Sequence, residues 1–283
     1  MNKWYENSFR RNLVDMHIED WSEEFLSEFS VDDYFNNLVK AHIQSPMIYL
    51  QSHVGHCYWP TKTGHMHNAF KGREDMIKRL IDRCRANGMP VVGYYSLIYN
   101  NWAAKAHPDW RAVRKDEDDV TESNRRYLLC CPNNPSYREF VLKQIEEISQ
   151  YFTVDGMFYD MTFWPIICHC GHCKKRWEVE GRGQIPEEDW DSDNWKLFLK
   201  KRQEWIGEFA HIVTSWTRKL MPNVTVEHNY AGVVAFDWFA ASTEIINEAC
   251  DYTGGDLYGD LYHHSFTCKY YLEITKNKPF EYM

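Results

Sequence analysis

Apolar and polar residues alternate along this chain in two periods, and the periods take turns. Short apolar runs with strand spacing are followed by longer runs whose apolar residues recur every three to four positions, the spacing of an amphipathic helix. Asn12 to Glu19 reads as a first strand and Asp32 to His42 as a helix, with Asp32 a candidate N-cap. Ile43 to Gln51 is a second strand, Arg73 to Asn87 a helix that Gly88 can close, and Pro90 to Leu97 a third strand. Ser136 to Tyr151 is a helix, Val154 to Met161 a fourth strand and Trp195 to Leu220 a long helix. Val224 to His228, Tyr252 to Leu257 and Pro279 to Met283 read as a fifth, sixth and seventh strand.

Strands that alternate with helices predict a parallel sheet covered by helices. The segments after strands two, three and four are long, whereas those before the strands are short. That asymmetry suits a (β/α)8 TIM barrel with its chemistry at the strand C-terminal ends. The 283 residues suffice for one such domain, which needs about 250. The expected architecture is therefore a single barrel domain over residues 1–283; an eighth βα unit is not found, so either the chain is a piece of a longer protein cut after strand seven or the strand count is off by one.

A net charge of −9 and basic residues that form no stripe argue against nucleic acid as a partner. No apolar run approaches a membrane span, and the first residues carry no apolar signal segment, so a cytoplasmic protein is expected. In that reducing setting the nine cysteines should serve as ligands or core residues rather than disulfides. Aromatic residues make up 16% of the chain, enough to supply stacking faces for a sugar as well as a large core. A homo-oligomer is open.

Two features carry chemistry. The run Val154-Asp155-Gly156-Met157-Phe158-Tyr159-Asp160 ends on an acid, where a barrel strand aims a carboxylate into a shared pocket. Shortly after it comes Cys168-His169-Cys170-Gly171-His172-Cys173, whose C-x-C-x-x-C spacing is that of a metal knot.

Four segments, in order, resemble the glycoside hydrolase family 29 α-L-fucosidases. Met16-His17-Ile18-Glu19-Asp20-Trp21 is similar to the family's first-strand segment ending in His-Trp. Gln51-Ser52-His53-Val54-Gly55-His56-Cys57-Tyr58-Trp59-Pro60-Thr61-Lys62 resembles its K-H-H-D-G-F-x-x-W-P-S motif. Gly93-Tyr94-Tyr95-Ser96-Leu97 with Trp102 resembles its Y-Y-S segment, and Asp155 to Asp160 its D-G-x-W-F-D segment, whose last Asp is the nucleophile. Ser52 and Val54 stand where the motif has His and Asp, which moves the chain towards family 151 or the hypothetical glycosyl hydrolase group 6. A second, local resemblance joins Cys131, in Cys131-Pro132-Asn133-Asn134-Pro135-Ser136-Tyr137-Arg138, to Cys168, Cys170 and Cys173. It is similar to the zinc cysteines of the family 42 β-galactosidases, and implies a structural Zn2+ with four thiolates. His169 or His172 can stand in for one thiolate, and Cys130 for Cys131.

These resemblances imply a retaining, exo-acting, α-L-fucosidase-like enzyme acting on an oligosaccharide or glycoside. Such chemistry needs two carboxyl groups, one ionised as nucleophile and one holding a proton. Asp160 is the candidate nucleophile. The acid/base is Asp256, Glu227 or Glu281, or a residue past 283. His17, His53, Tyr95 and His228 at strand ends can bind sugar hydroxyls, and Trp59, Trp102 and Trp164 can form a stacking platform. A family 42-like β-galactosidase with Glu281 as nucleophile is the second reading. A carbohydrate-binding barrel without activity, suggested by Ser52 and Val54, is the third.

Overall fold

The computed structural model describes residues 3–115, 126–180, 183–230, 243–256, 258–276 and 278–283. Five strands form one parallel sheet: β1 (Arg11–Leu13), β2 (Ser45–Tyr49), β5 (Val92–Ser96), β6 (Gly156–Asp160) and β7 (Thr225–His228), in that spatial order. A two-residue parallel pair, β3 (His56–Cys57) and β4 (His65–Met66), decorates the segment after β2. β8 (Thr253–Gly255) and β9 (Phe280–Tyr282) pair in parallel, and β8 lies against β7.

Helices return the chain between neighbouring strands. They are α1 (Val31–Lys40), α2 (Met76–Ala86), α3 (Asn101–Ala106), α4 (Pro135–Tyr151), α5 (Gly171–Val179), α6 (Asp193–Leu220), α7 (Glu244–Glu248) and α8 (Leu261–Ile274). The alternation read from the sequence is therefore present. The first strand is shorter than expected and ends before His17, because residues 14–20 leave the sheet to line its C-terminal end. Ser30 rather than Asp32 caps α1, its hydroxyl accepting from the Asp33 N–H, while Asp32 and Asp33 occupy the first turn. Gly88 follows α2 with φ of +76°, the left-handed geometry a helix stop favours.

The strands are buried on both faces, as expected of a sheet covered by helices; every residue of β2, β5, β6 and β7 is buried. The register Tyr94↔Phe158 and Ser96↔Asp160 sets which side chains share a layer. The arc of strands does not close by strand pairing among the described residues. A cavity of about 640 Å3 opens between β1 and β9, lined by Leu13, Arg11, Phe280 and Glu281 among others. Side chains cross it: Arg11 of β1 donates to Glu281 of β9 and, at 3.2 Å, to the Tyr252 hydroxyl. Among the described residues no helix is long and apolar enough to cross a membrane.

Candidate active site and cysteine knot

Asp160 is the last residue of β6 and is buried. The residue after it, Met161, has φ of +60°, so the chain turns sharply at the strand end. That turn brings the Met161 N–H back onto Asp160 Oδ1 at 2.8 Å. Asn229 Nδ2 donates to the same oxygen at 2.7 Å, and the Tyr94 hydroxyl donates to Oδ2. Asp256 lies just past β8 and accepts from the same Asn229 nitrogen at 3.2 Å. One amide thus spans two carboxyl groups, whose nearer oxygens are no farther apart than those two bonds laid end to end.

Burial and then the nearby Asp256 charge push Asp160 up to about 7, against the three donors that favour its ionised form. Burial also raises Asp256, opposed by the Asn229 amide alone.

His53 and His17 form the adjoining wall, stacked at 3.7 Å. Their hydrogen bonds assign their tautomers. Ser96 Oγ donates to the Tyr99 carbonyl, so at 2.6 Å it accepts from His53 Nδ1–H. His53 Nε2 therefore carries a lone pair, 3.6 Å from Asp160 Oδ2. His17 Nδ1 accepts the backbone N–H of His53 at 3.0 Å, which leaves its Nε2–H towards Tyr49 and Asp15. Burial holds both rings neutral, lowering His53 to about 2 and His17 to about 4. Tyr99 and Tyr127 border His53, with ring centroids 5.1 and 4.8 Å away. Tyr258 is exposed at the rim, close enough to Asp256 for that charge to raise its hydroxyl.

Several candidates lie elsewhere. Tyr95 points to the opposite face from Tyr94, and its hydroxyl donates to Gln144 of α4 at 2.6 Å. His228 shares that outward orientation. Thr162 Oγ donates to the Tyr159 carbonyl, and His228 bonds Thr162 at 3.0 Å and Thr214 at 2.8 Å, so both ring nitrogens are used. Trp164 is buried beneath Arg202, and Trp59 is buried with its N–H on Glu147. Thr61 Oγ and the Lys62 N–H bond the same Glu147 carboxylate, so this Trp-Pro-Thr-Lys segment pins the loop after β2 onto α4. Trp102 is half-buried, its ring contacts being His65, His107 and Phe140. Trp59 and Trp164 are thus taken up by protein contacts.

Glu227 is buried one layer below, two residues before Asn229 on β7. Burial and then Glu281 raise it well above the ordinary range, while Arg11 opposes both. Glu281 is clamped by Arg11 in the same layer, at the edge of the cavity between β1 and β9. The glycines before Asp256 serve that layer: a Cβ on Gly254 would lie 2.6 Å from Glu227 Oε1, and one on Gly255 2.3 Å from the Tyr271 hydroxyl. They make room for protein groups. Ser52 and Val54 are buried.

The four cysteines converge. Cys131 Sγ lies 3.4 Å from Cys173, 3.5 Å from Cys170 and 3.8 Å from Cys168, and all four are buried. Four thiolates at about 2.3 Å from one zinc are separated by roughly 3.8 Å along a tetrahedron's edges, so the donor set suits that ion. Cys130 Sγ turns instead towards the Asn100 carbonyl, 3.9 Å away. His172 is exposed, and the backbone N–H of His169 bonds the Val113 carbonyl. Sequence reading missed Tyr94, Asn229, Tyr99 and Tyr127. Strand parity was the available signal for Tyr94, since the residue paired with Phe158 shares the layer ordering of Asp160.

Comparison with known proteins places this geometry in context. Residues 30–161 match the family described as Hypothetical glycosyl hydrolase 6. The chain is 23% identical over 180 residues to the β-galactosidase BgaP of Planococcus sp. (strain L4), covering 59% of this chain and 23% of that protein. Among solved structures it is similar to α-L-fucosidase isoenzyme 2 from Paenibacillus thiaminolyticus, with TM-score 0.70 and 18% identity over 87% of this chain and 35% of the other. It is also similar to the β-galactosidase from Rahnella sp. R3, with TM-score 0.65 and 14% identity over 98% and 44%. The chain thus spans about a quarter of the curated relative and about a third of the fucosidase. At these identities the structural likeness is one of fold, the TIM-barrel-like α/β arrangement of glycoside hydrolases.

Proposed function

We propose that the protein is a retaining glycoside hydrolase, with Asp160 as nucleophile and Asp256 as acid/base. The observation that carries this reading is the single Asn229 amide spanning both carboxyl groups at the strand C-terminal end. Two carboxyl groups that share one amide suit the close spacing of a retaining pair, whereas an inverting pair keeps roughly 6.5–9.5 Å to admit a water. In the reaction Asp160 attacks the anomeric carbon while Asp256 gives its proton to the departing oxygen. Asp256 then takes a proton from the water that releases the sugar. Three donors favour negative charge on Asp160, and positive charge developing at the anomeric carbon lowers the nearer carboxylate further. His53 Nε2 accepts a hydrogen bond from a sugar hydroxyl.

The substrate we favour is an α-L-fucoside, on the four motif segments and the fold match to a fucosidase. A β-galactoside is the second reading, favoured by the β-galactosidase relatives. It fits less well with Glu281 as nucleophile, because that carboxylate is clamped by Arg11 beneath the pocket. We further propose that Cys131, Cys168, Cys170 and Cys173 hold a structural zinc that fastens the segment before α4 to the loop after β6. A panel of aryl α-L-fucosides and β-galactosides, run with Asp160→Asn as control, tests the enzyme reading. Turnover by the parent that the substitution removes is the expected result. Equal turnover by both proteins would refute Asp160, and no turnover of any glycoside by the parent would favour the binding-only barrel.

A further inference from the structure

Asp20, His56 and His65 form a second cluster, apart from the carboxyl pair and the cysteines. One ligand atom from each lies within 4.8 Å of the others. His65 Nε2 is 2.7 Å from Asp20 Oδ2, and His56 Nε2 is 3.6 Å from Asp20 Oδ1. The short β3–β4 ladder builds the arrangement, because His56 and His65 are register partners on parallel strands. The Asn68 N–H fixes the carboxylate from outside, donating to Oδ2 at 3.2 Å. His56 is buried, and its Nδ1 has no full hydrogen bond.

A neighbouring histidine marks the contrast. The His67 ring sits 5.5 Å from that of His56, yet both its nitrogens are used, Nδ1 by the Ala69 N–H and Nε2 by the Glu19 carbonyl. His67 is a satisfied structural residue, whereas His56 and His65 turn nitrogen towards a shared carboxylate.

From this geometry we propose a binding site for a divalent first-row transition ion, held by Asp20, His56 and His65. Two imidazoles and one carboxylate are a donor set such ions favour, and three protein ligands leave a position for water. The site has a structural consequence. Asp20 comes three residues after His17, and His56 three residues after His53. The same two segments therefore supply the stacked histidine wall and two of the three ligands. An ion joining Asp20 to His56 ties those segments together beside the pocket.

Metal content after chelator stripping, zinc reloading and desalting tests the proposal. The parent should retain one zinc more than Asp20→Asn and one more than His65→Gln. His65 has a third of its side chain exposed, so its replacement is compatible with folding. Cobalt loading separates this ion from one on the cysteines. A thiolate site gives strong near-ultraviolet sulfur-to-metal absorption, which both variants should keep if the parent has it. They should lose only the weaker visible bands of a nitrogen- and oxygen-bound ion. Equal zinc content and equal visible absorption in the parent and both folded variants would overturn the site.

Discussion

Two carboxyl pairs join the main sheet to the segment around β8 and β9, and their surroundings differ. The upper pair, Asp160 and Asp256, is bridged by a neutral amide and lies next to His53 with its free lone pair. In the lower pair, Glu227 is buried and Glu281, at the edge of the cavity between β1 and β9, has a guanidinium against it. Both are raised by burial. A neutral bridge leaves a proton to be shared near neutral pH, while a fixed cation commits one member to being charged. On the proposed reading the upper pair does the chemistry, while the lower one holds β1 to β9 through Arg11.

The largest expected effect comes from breaking the upper pair. Asp160→Asn should lower kcat/KM on an activated glycoside by at least on the order of 1,000-fold, measured in steady state. The same change should leave the fold intact and alter its response to pH. Asp160 sits at about 7 in the folded protein, above its ordinary value of 3.8. Its protonation therefore favours the folded state fully below about pH 4, and that contribution is lost as the pH rises through 7. Melting curves should show the Asn variant gaining on the parent across that window. A gap that instead widens towards low pH would contradict the assignment.

Replacing Asp256 by Ala sharpens the division of roles. Poor leaving groups should suffer on the order of 100-fold more than activated ones, since only a basic departing oxygen needs the proton. Equal losses on both substrate classes would move the acid/base elsewhere. Breaking the lower pair should cost stability rather than turnover. Arg11→Met leaves Glu281 buried without its cation and should cost about 3 kcal/mol in a denaturant titration. A loss confined to kcat would reverse the roles assigned to the two layers.

The smallest effect separates two adjacent tyrosines. Tyr94→Phe removes a donor that lowers Asp160, so the acid limb of kcat/KM should move to higher pH. Tyr95→Phe leaves Gln144 Oε1 without its donor and should cost about 1 kcal/mol of stability with the pH profile unchanged.

That pair of tyrosines also shows how far the sequence could be read. The alternation of strands and helices, Asp160 at a strand end and the four converging cysteines were all legible, because period and spacing are local properties. Which face a residue takes was legible only in part. Tyr95 looked like a ligand because it lies in the motif, but a strand of period two sends it to α4 while Tyr94 and Ser96 face the pocket. His228 failed for the same reason. Asn229 carries no motif, and it matters only because β7 pairs with β6 in one register and β8 brings Asp256 alongside. Trp59 was readable as aromatic but not as anchored, since Glu147 comes to it from a helix 88 residues away.

The direction of one hydrogen bond at Ser96 decides what the pocket can distinguish. Its hydroxyl proton goes to the Tyr99 carbonyl, which turns the His53 proton away from the pocket and leaves a lone pair facing in. Beside it, Asp160 when ionised also offers only lone pairs. On the proposed reading this wall would favour ligand positions that give a proton over those that merely accept one. A sugar hydroxyl placed there would be taken, whereas its methyl ether would keep the oxygen, lose the proton and meet lone pair against lone pair. Discrimination of this kind is steep, because an unmatched buried acceptor loses a whole hydrogen bond rather than a little contact area.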